Sequence, residues 1–374
     1  MEDWQKYLEL GDIHQKQSEI AESVNCYLKS LDIYPDFFET HDRLWNLLNY
    51  YEIPSEVLER IVCYYEIFIK KIPDFFSAYT ILGDALTKQE KIPVAIGCYQ
   101  QGNLINSLKF KPDFVDKYWK LSKPANPSFI IIGCQKCGTT SLYQYLNVHP
   151  QILPTFQKEV RFFSWSFMEG KAGRDWYLAH FPPLPNDQDF LTGEASPEYI
   201  YYPGAEKRIF ELFPEIKLIL MLRNPVERSI SDYYHHQKYG AEFRSLEQAL
   251  EPQVKILKEV AANELEINDE MLDQMQPNYL LNSVYIYFLE KWMNWFPREQ
   301  FLVLTTEDLD KTPEKTMKEV YDFLGVSVHK LSDYPRHNSN SYPLVSDSIR
   351  QSLAECFQPY NQRLEKYLGR KFNW

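Results

Sequence analysis

The sequence predicts an α/β domain, a parallel sheet carrying a phosphate-binding loop, preceded by an all-α repeat domain. Three observations lead there. The apolar run Phe129-Ile-Ile-Ile132 meets a loop with Gly133 and Gly138 and then a helical pattern. A second apolar run, Glu215 to Leu222, meets Arg223-Asn-Pro225 and another helical pattern. Upstream, Pro-Asp-Phe recurs at Pro35, Pro73 and Pro112. A chain of 374 residues suits two domains. The boundaries are read as a repeat domain over 1–120, a linker over 121–127 and an α/β domain over 128–374.

Each Pro-Asp-Phe precedes an amphipathic pattern. Leu10-Gly11 with Tyr27 and Pro35, and Leu82-Gly83 with Ala95 and Tyr99, match the spacing of a 34-residue tetratricopeptide repeat. The middle copy is longer and has Leu44-Trp45 where the others have Leu-Gly. Three helix pairs over residues 4 to about 109 are expected, with a capping helix near Asp113 to Leu121. Such pairs bury their apolar faces only by stacking and leave a concave surface. That surface suits a protein partner, or the stack serves to stabilise the second domain. Lys120 to Pro127, with two prolines and no periodicity, reads as the linker.

In the second domain, strands are expected near 128–133, 189–192, 216–222 and 301–305, alternating with helices. Residues 244–278 read as a polar, acidic insertion, helical or irregular, and Tyr279 to Trp295 as one long amphipathic helix. The cofactor belongs at the carboxyl ends of the strands. Gly133 and Gly138 let backbone amides turn toward an anion, and a helix from Thr139 to Leu146 adds its amino-terminal N–H groups. Candidate anion contacts are Gln135, Lys136, Cys137, Gly138, Thr139, Thr140 and Ser141. In the nucleoside-triphosphatase loop, Lys directly follows the second Gly. Here Thr139 follows Gly138 and Lys136 precedes it, so the Mg-binding hydroxyl is out of register and a kinase is disfavoured. At the second junction, Pro225 fits a first helical turn. An Arg223 fork and the Ser231 hydroxyl there suit a terminal phosphate.

Lys136-Cys-Gly-Thr-Thr-Ser-Leu142 resembles the 5′-phosphosulfate loop of sulfotransferases that use 3′-phosphoadenosine 5′-phosphosulfate (PAPS). Arg223 to Ser231 resembles their 3′-phosphate motif. Lys158-Glu-Val-Arg-Phe-Phe163 resembles the Glu-bearing segment of the carbohydrate branch, typified by heparan sulfate 3-O- and N-sulfotransferases. The resemblance covers roughly residues 128–374 and extends to Gly193-Glu-Ala-Ser-Pro-Glu-Tyr199, Trp295-Phe-Pro297 and Leu368 to Trp374. It implies Glu159 as catalytic base, Lys136 as stabiliser of the leaving phosphate, and Arg223 and Ser231 on the 3′-phosphate. It also implies a cofactor contact from Ser283. The chain departs from the heparan enzymes at Ala195, where they have Lys. Their Lys-Gly-Arg cofactor loop is replaced by Arg336 to Pro343, and the Cys pair of that region is absent.

Forty basic against fifty-two acidic residues give a net charge of −12, which argues against nucleic acid and favours a neutral or lightly charged acceptor. Cys134-x-x-Cys137 has no second pair to complete a zinc site. His235 and His236 are adjacent and face different ways, so they share no metal. No apolar run approaches eighteen residues and the amino terminus has no apolar leader, which predicts a cytoplasmic enzyme with reduced thiols. The expected activity is sulfuryl transfer from PAPS to a hydroxyl or amine, with a carbohydrate as acceptor and no metal. A small-molecule, lipid or protein acceptor, or a repeat scaffold around an inactive phosphate-loop domain, are the alternatives.

Overall fold

The computed structural model describes the chain apart from residues 1, 165–166, 187–188, 264, 266, 275 and 338–341. The amino-terminal third folds as α1 (Asp3–Lys16), α2 (Ile20–Ile33), α3 (Phe38–Tyr50), α4 (Ser55–Lys71), α5 (Phe76–Lys88), α6 (Ile92–Phe110) and α7 (Pro112–Tyr118). Then follow β1 (Phe129–Gly133), α8 (Thr139–Val148), β2 (Ile152–Pro154), α9 (Gly170–Leu178), β3 (Leu191–Ala195), α10 (Ala205–Leu212), β4 (Lys217–Leu222) and α11 (Pro225–Lys238). The chain continues through α12 (Leu246–Ala262), α13 (Asp269–Gln274), α14 (Tyr285–Met293), β5 (Phe301–Thr305), α15 (Thr306–Lys311), α16 (Pro313–Leu324) and α17 (Asp347–Leu368). Cα proximity divides the chain into two compact units, residues 1–126 with 153–160 and 168–192, and residues 127–152 with 161–167 and 193–374.

In the first unit six helices, α1 to α6, stand where the repeat spacing predicts three pairs, but only α1 with α2 and α5 with α6 pack as such pairs. Pro35-Asp36 and Pro73-Asp74 turn the chain between helices, and Phe38 and Phe76 open the next ones. The two outer pairs are clamped by glycine. A Cβ on Gly11 would lie 2.3 Å from the Tyr27 ring, and one on Gly83 would lie 2.3 Å from the Tyr99 ring. The two phenol hydroxyls then donate to Asp12 and Asp84, each at 2.8 Å. In the middle copy Trp45 replaces the glycine, α3 and α4 do not pack closely, and α4 lies along α5 instead. The Trp45 indole N–H reaches Asp84 at 3.0 Å. Residues 168–192 add Trp176 and His180, whose rings pack on Tyr99 with centroids 5.3 and 4.0 Å away.

Gly83→Ala is expected to destabilise this unit by about 1–3 kcal/mol, because the new methyl overpacks a buried aromatic. Gly97→Ala is the control. Its Cβ meets open space, so only helix propensity acts and stability rises by up to about 1 kcal/mol. Urea midpoints at constant m-value measure both, and an unchanged midpoint for Gly83→Ala would show that the Tyr99 ring yields.

The five-stranded sheet has the order β2-β3-β1-β4-β5. β1 pairs in parallel with β3 and β4, and β4 with β5. β1 is central and buried along its whole length, as its unbroken apolar run requires. Two elements differ from the sequence reading. β2 was not anticipated, because three residues carry no periodic signal. Tyr279 to Trp295 is not one helix: Leu281–Ser283 forms a 3-10 turn and α14 begins only at Tyr285. The Tyr279 carbonyl, which a continuing α-helix would use at Ser283, accepts instead from the Arg228 guanidinium at 2.9 Å. The 244–278 segment holds two helices, α12 being opened by a Ser245/Gln248 capping box.

Candidate active site

The loop after β1 begins with a tight turn in which the Cys137 N–H donates to the Cys134 carbonyl at 3.2 Å. Gly138 closes it with φ +80°, a left-handed conformation open to glycine at no cost, and α8 starts at Thr139. The first helical N–H groups have no intrahelical partner and face outward from the helix start. Three successive loop carbonyls are held from behind. Gln135 O accepts from the Arg228 Nε–H at 3.2 Å and Lys136 O from the Arg223 Nη1–H at 3.1 Å. Cys137 O accepts from the Thr306 hydroxyl at 2.8 Å. In a planar trans peptide the carbonyl and the following N–H point in opposite directions. Holding Gln135 O and Cys137 O therefore turns the N–H groups of Lys136 and Gly138 the other way, which makes an anion-binding concavity.

Thr139 and Ser141 are buried in the first turn of α8, and the Ser141 hydroxyl oxygen accepts from the His337 N–H at 3.0 Å. Thr140 is half-buried. In the replaced cofactor loop, residues 338–341 lie outside the described residues, while Arg336 pairs with Asp310. Arg223 directly follows β4, and its own carbonyl accepts from the Tyr285 hydroxyl at 2.8 Å. Asn224 caps α11 through its side-chain oxygen, Pro225 occupies the first turn, and Ser231 lies half-buried on the same helix. The second phosphate motif is thus tied to the first by a direct bond between Arg223 and the loop. Ser283 is 1% exposed, with its Oγ 2.9 Å from Ser229 Oγ and 3.4 Å from Arg228 Nη1.

Glu159 belongs to the first unit, where its carboxylate pairs with Lys158 at 2.8 Å. Two residues on, in the second unit, the Arg161 N–H donates to Ser196 Oγ at 3.1 Å, just beyond the carboxyl end of β3. The Arg161 side chain pairs with Glu198 at 3.5 Å. Glu194 is fully buried, its two oxygens accepting from Ser196 at 2.6 Å and Tyr199 at 3.0 Å. Among the described residues, non-glycine positions with positive φ are Ser18, Glu90, Lys136, Glu159 and Arg161. Ser18 and Glu90 merely end repeat helices. The other three, at +66°, +66° and +58°, carry the charged side chains of the two segments singled out by sequence. Such backbone costs about 1–3 kcal/mol at each position and gathers at functional sites.

All six cysteines are free thiols. Burial pushes the Cys134 thiol well up. At Cys137 burial acts the same way but is outweighed by the Cys134 hydrogen bond and the Arg228 and Arg223 guanidiniums, which lower it. Among the described residues no group of three His, Cys, Asp or Glu side chains is arranged to hold a metal, and no helix is long and apolar enough to cross a membrane.

A family profile described as the sulfotransferase domain matches residues 126–342. The chain belongs to the sulfotransferase family. The membrane-associated sulfotransferase kil1 of Dictyostelium discoideum is 27% identical over 315 residues, spanning 66% of each chain. The human bifunctional heparan sulfate N-deacetylase/N-sulfotransferase 3 is 30% identical over 281 residues, 67% of this chain but 31% of that one. Human heparan sulfate glucosamine 3-O-sulfotransferase 5 is 28% identical over 276 residues, 66% and 74% of the two chains. The crystal structure of a sulfotransferase from Alicyclobacillus acidocaldarius superposes with a TM-score of 0.52 at 28% identity, covering 66% of this chain and 98% of that one. The phosphate loop of this chain is held by two groups that sequence reasoning missed, Arg228 and Thr306. Arg228 stands inside the second motif but reads as one more charge on a helix. Thr306 gave no signal, since its partner Cys137 lies 169 positions away.

Proposed function

We propose that the chain transfers a sulfuryl group from PAPS to a hydroxyl or amine of a carbohydrate. The observation that carries this reading is the loop with its carbonyls held back, next to a Lys two residues ahead of Gly138 and an Arg at the end of the adjacent strand. An anion-binding concavity with that lysine register suits a 5′-phosphosulfate, and Arg223 with Ser231 suits a 3′-phosphate. The names of the heparan sulfate relatives support a sugar acceptor. In the reaction the acceptor oxygen or nitrogen forms a bond to sulfur as the bond from sulfur to the bridging phosphate oxygen breaks. Glu159 takes the acceptor proton. Lys136 and the N–H groups at the start of α8 meet the negative charge that grows on the leaving phosphate.

Calorimetry without added Mg is expected to give strong binding of 3′-phosphoadenosine 5′-phosphate and weak binding of ATP. Tight ATP binding that requires Mg would overturn the assignment in favour of a phosphate-loop kinase.

A further inference from the structure

We infer that Arg228 is a positioning residue, whose buried guanidinium fixes the phosphate loop against α11 and thereby sets how firmly the 5′ side of the donor nucleotide is gripped. The inference rests on the donor reading above. Arg228 is 0% exposed, yet each nitrogen of its fork is engaged. Nε donates to Gln135 O in the loop at 3.2 Å. Nη1 donates to Tyr279 O at 2.9 Å and lies 3.4 Å from Ser283 Oγ, while Nη2 donates to Asp232 Oδ2 at 2.9 Å. One side chain therefore joins the loop, the helix that carries Ser231 and the turn before α14. Burial opposes the charge, but the Asp232 carboxylate together with Tyr201, Tyr285 and Cys137 outweighs it and holds the guanidinium above its ordinary pKa.

A buried ion pair is weak evidence for stability, since apolar residues of similar volume hold helices together at least as well. Apolar residues cannot donate to a loop carbonyl. The Gln135 carbonyl must be held inward if the Lys136 N–H is to face a phosphate, because the planar peptide couples the two. Of the three donors behind the loop, Arg223 and Thr306 are half-exposed and Arg228 alone is buried. It can therefore keep its bond whether or not a ligand occupies the concavity. Ser283, implied by the family resemblance to approach the cofactor, has its Oγ 2.9 Å from Ser229 Oγ and 3.4 Å from Arg228 Nη1.

The test is Arg228→Lys, which keeps a cation for Asp232 but lacks the fork that reaches the loop and Tyr279 together. Calorimetry is run with 3′-phosphoadenosine 5′-phosphate and with adenosine 5′-phosphate. Both Kd values are expected to rise by the same factor, about tenfold, the worth of one hydrogen bond to a charged group, with stoichiometry unchanged. In the ligand-free protein, hydrogen exchange of amides 135–139 should quicken while that of β1 stays the same. Reduced stoichiometry at an unchanged Kd would mean that Arg228 serves only the fold and would overturn the inference. So would a loss confined to the 3′-phosphorylated ligand. Exchange needs no nucleotide, so if the unmodified chain binds neither ligand the donor reading fails separately, and unaltered loop exchange still refutes the role of Arg228. If the lysine variant does not fold, Asp232→Asn, which leaves the fork but removes its carboxylate, should quicken the same loop amides, and unchanged exchange there refutes the inference.

Discussion

Glu159→Gln is expected to leave nucleotide binding intact and to cut turnover by about 10²–10⁴-fold, the usual worth of a general base. Glutamine keeps the volume, and its carbonyl oxygen can still accept from Lys158, which lies 2.8 Å from the carboxylate. The loss therefore isolates the ability to take a proton. Turnover is measured at saturating acceptor, and the Kd for 3′-phosphoadenosine 5′-phosphate is measured in parallel. Full activity in the variant would place the base elsewhere. Glu194 is no ready substitute, because it is fully buried with both oxygens committed to Ser196 and Tyr199.

Arg223→Ala should weaken 3′-phosphoadenosine 5′-phosphate by about 2–3 kcal/mol through loss of charge-assisted hydrogen bonds. For adenosine 5′-phosphate the loss should be small. What remains there reports the bond from Arg223 to the Lys136 carbonyl, the one part of its work that does not depend on a 3′-phosphate. Equal losses with the two ligands would show that Arg223 serves the loop alone. Together with Arg228→Lys, the experiment separates the two guanidiniums, one acting on a ligand group and the other on the loop.

The sequence marks a junction clearly when several independent preferences coincide in a few residues. At β1–α8 an apolar run, two glycines and a displaced lysine do so, and at β4–α11 an arginine, an asparagine cap and a first-turn proline do. The repeat is legible for the same reason, since Gly11 with Tyr27 and Gly83 with Tyr99 are paired requirements of one close packing. What stayed hidden was set by distant partners. The break near Ser283 depends on Arg228 more than fifty positions upstream. The grouping of 153–160 and 168–192 with the repeat depends on contacts such as Trp176 with Thr87, 89 residues apart. The proposed site was partly hidden in the same way. Its charged residues show by type, whereas the donors that shape the loop from behind are ordinary helix residues until their partners are known.

The left-handed backbone at Lys136, Glu159 and Arg161 sets local folding preference against chemistry. At each of these positions glycine would relax the main chain and remove the side chain on which the proposed reaction or its support depends. At Lys136 and Glu159 glycine would ease the backbone, whereas at Arg161 it would also strip the buried Glu198 of its partner. A lysine, a glutamate and an arginine held at such positions mark where this chain gives up robustness to keep reactive or charged groups aimed.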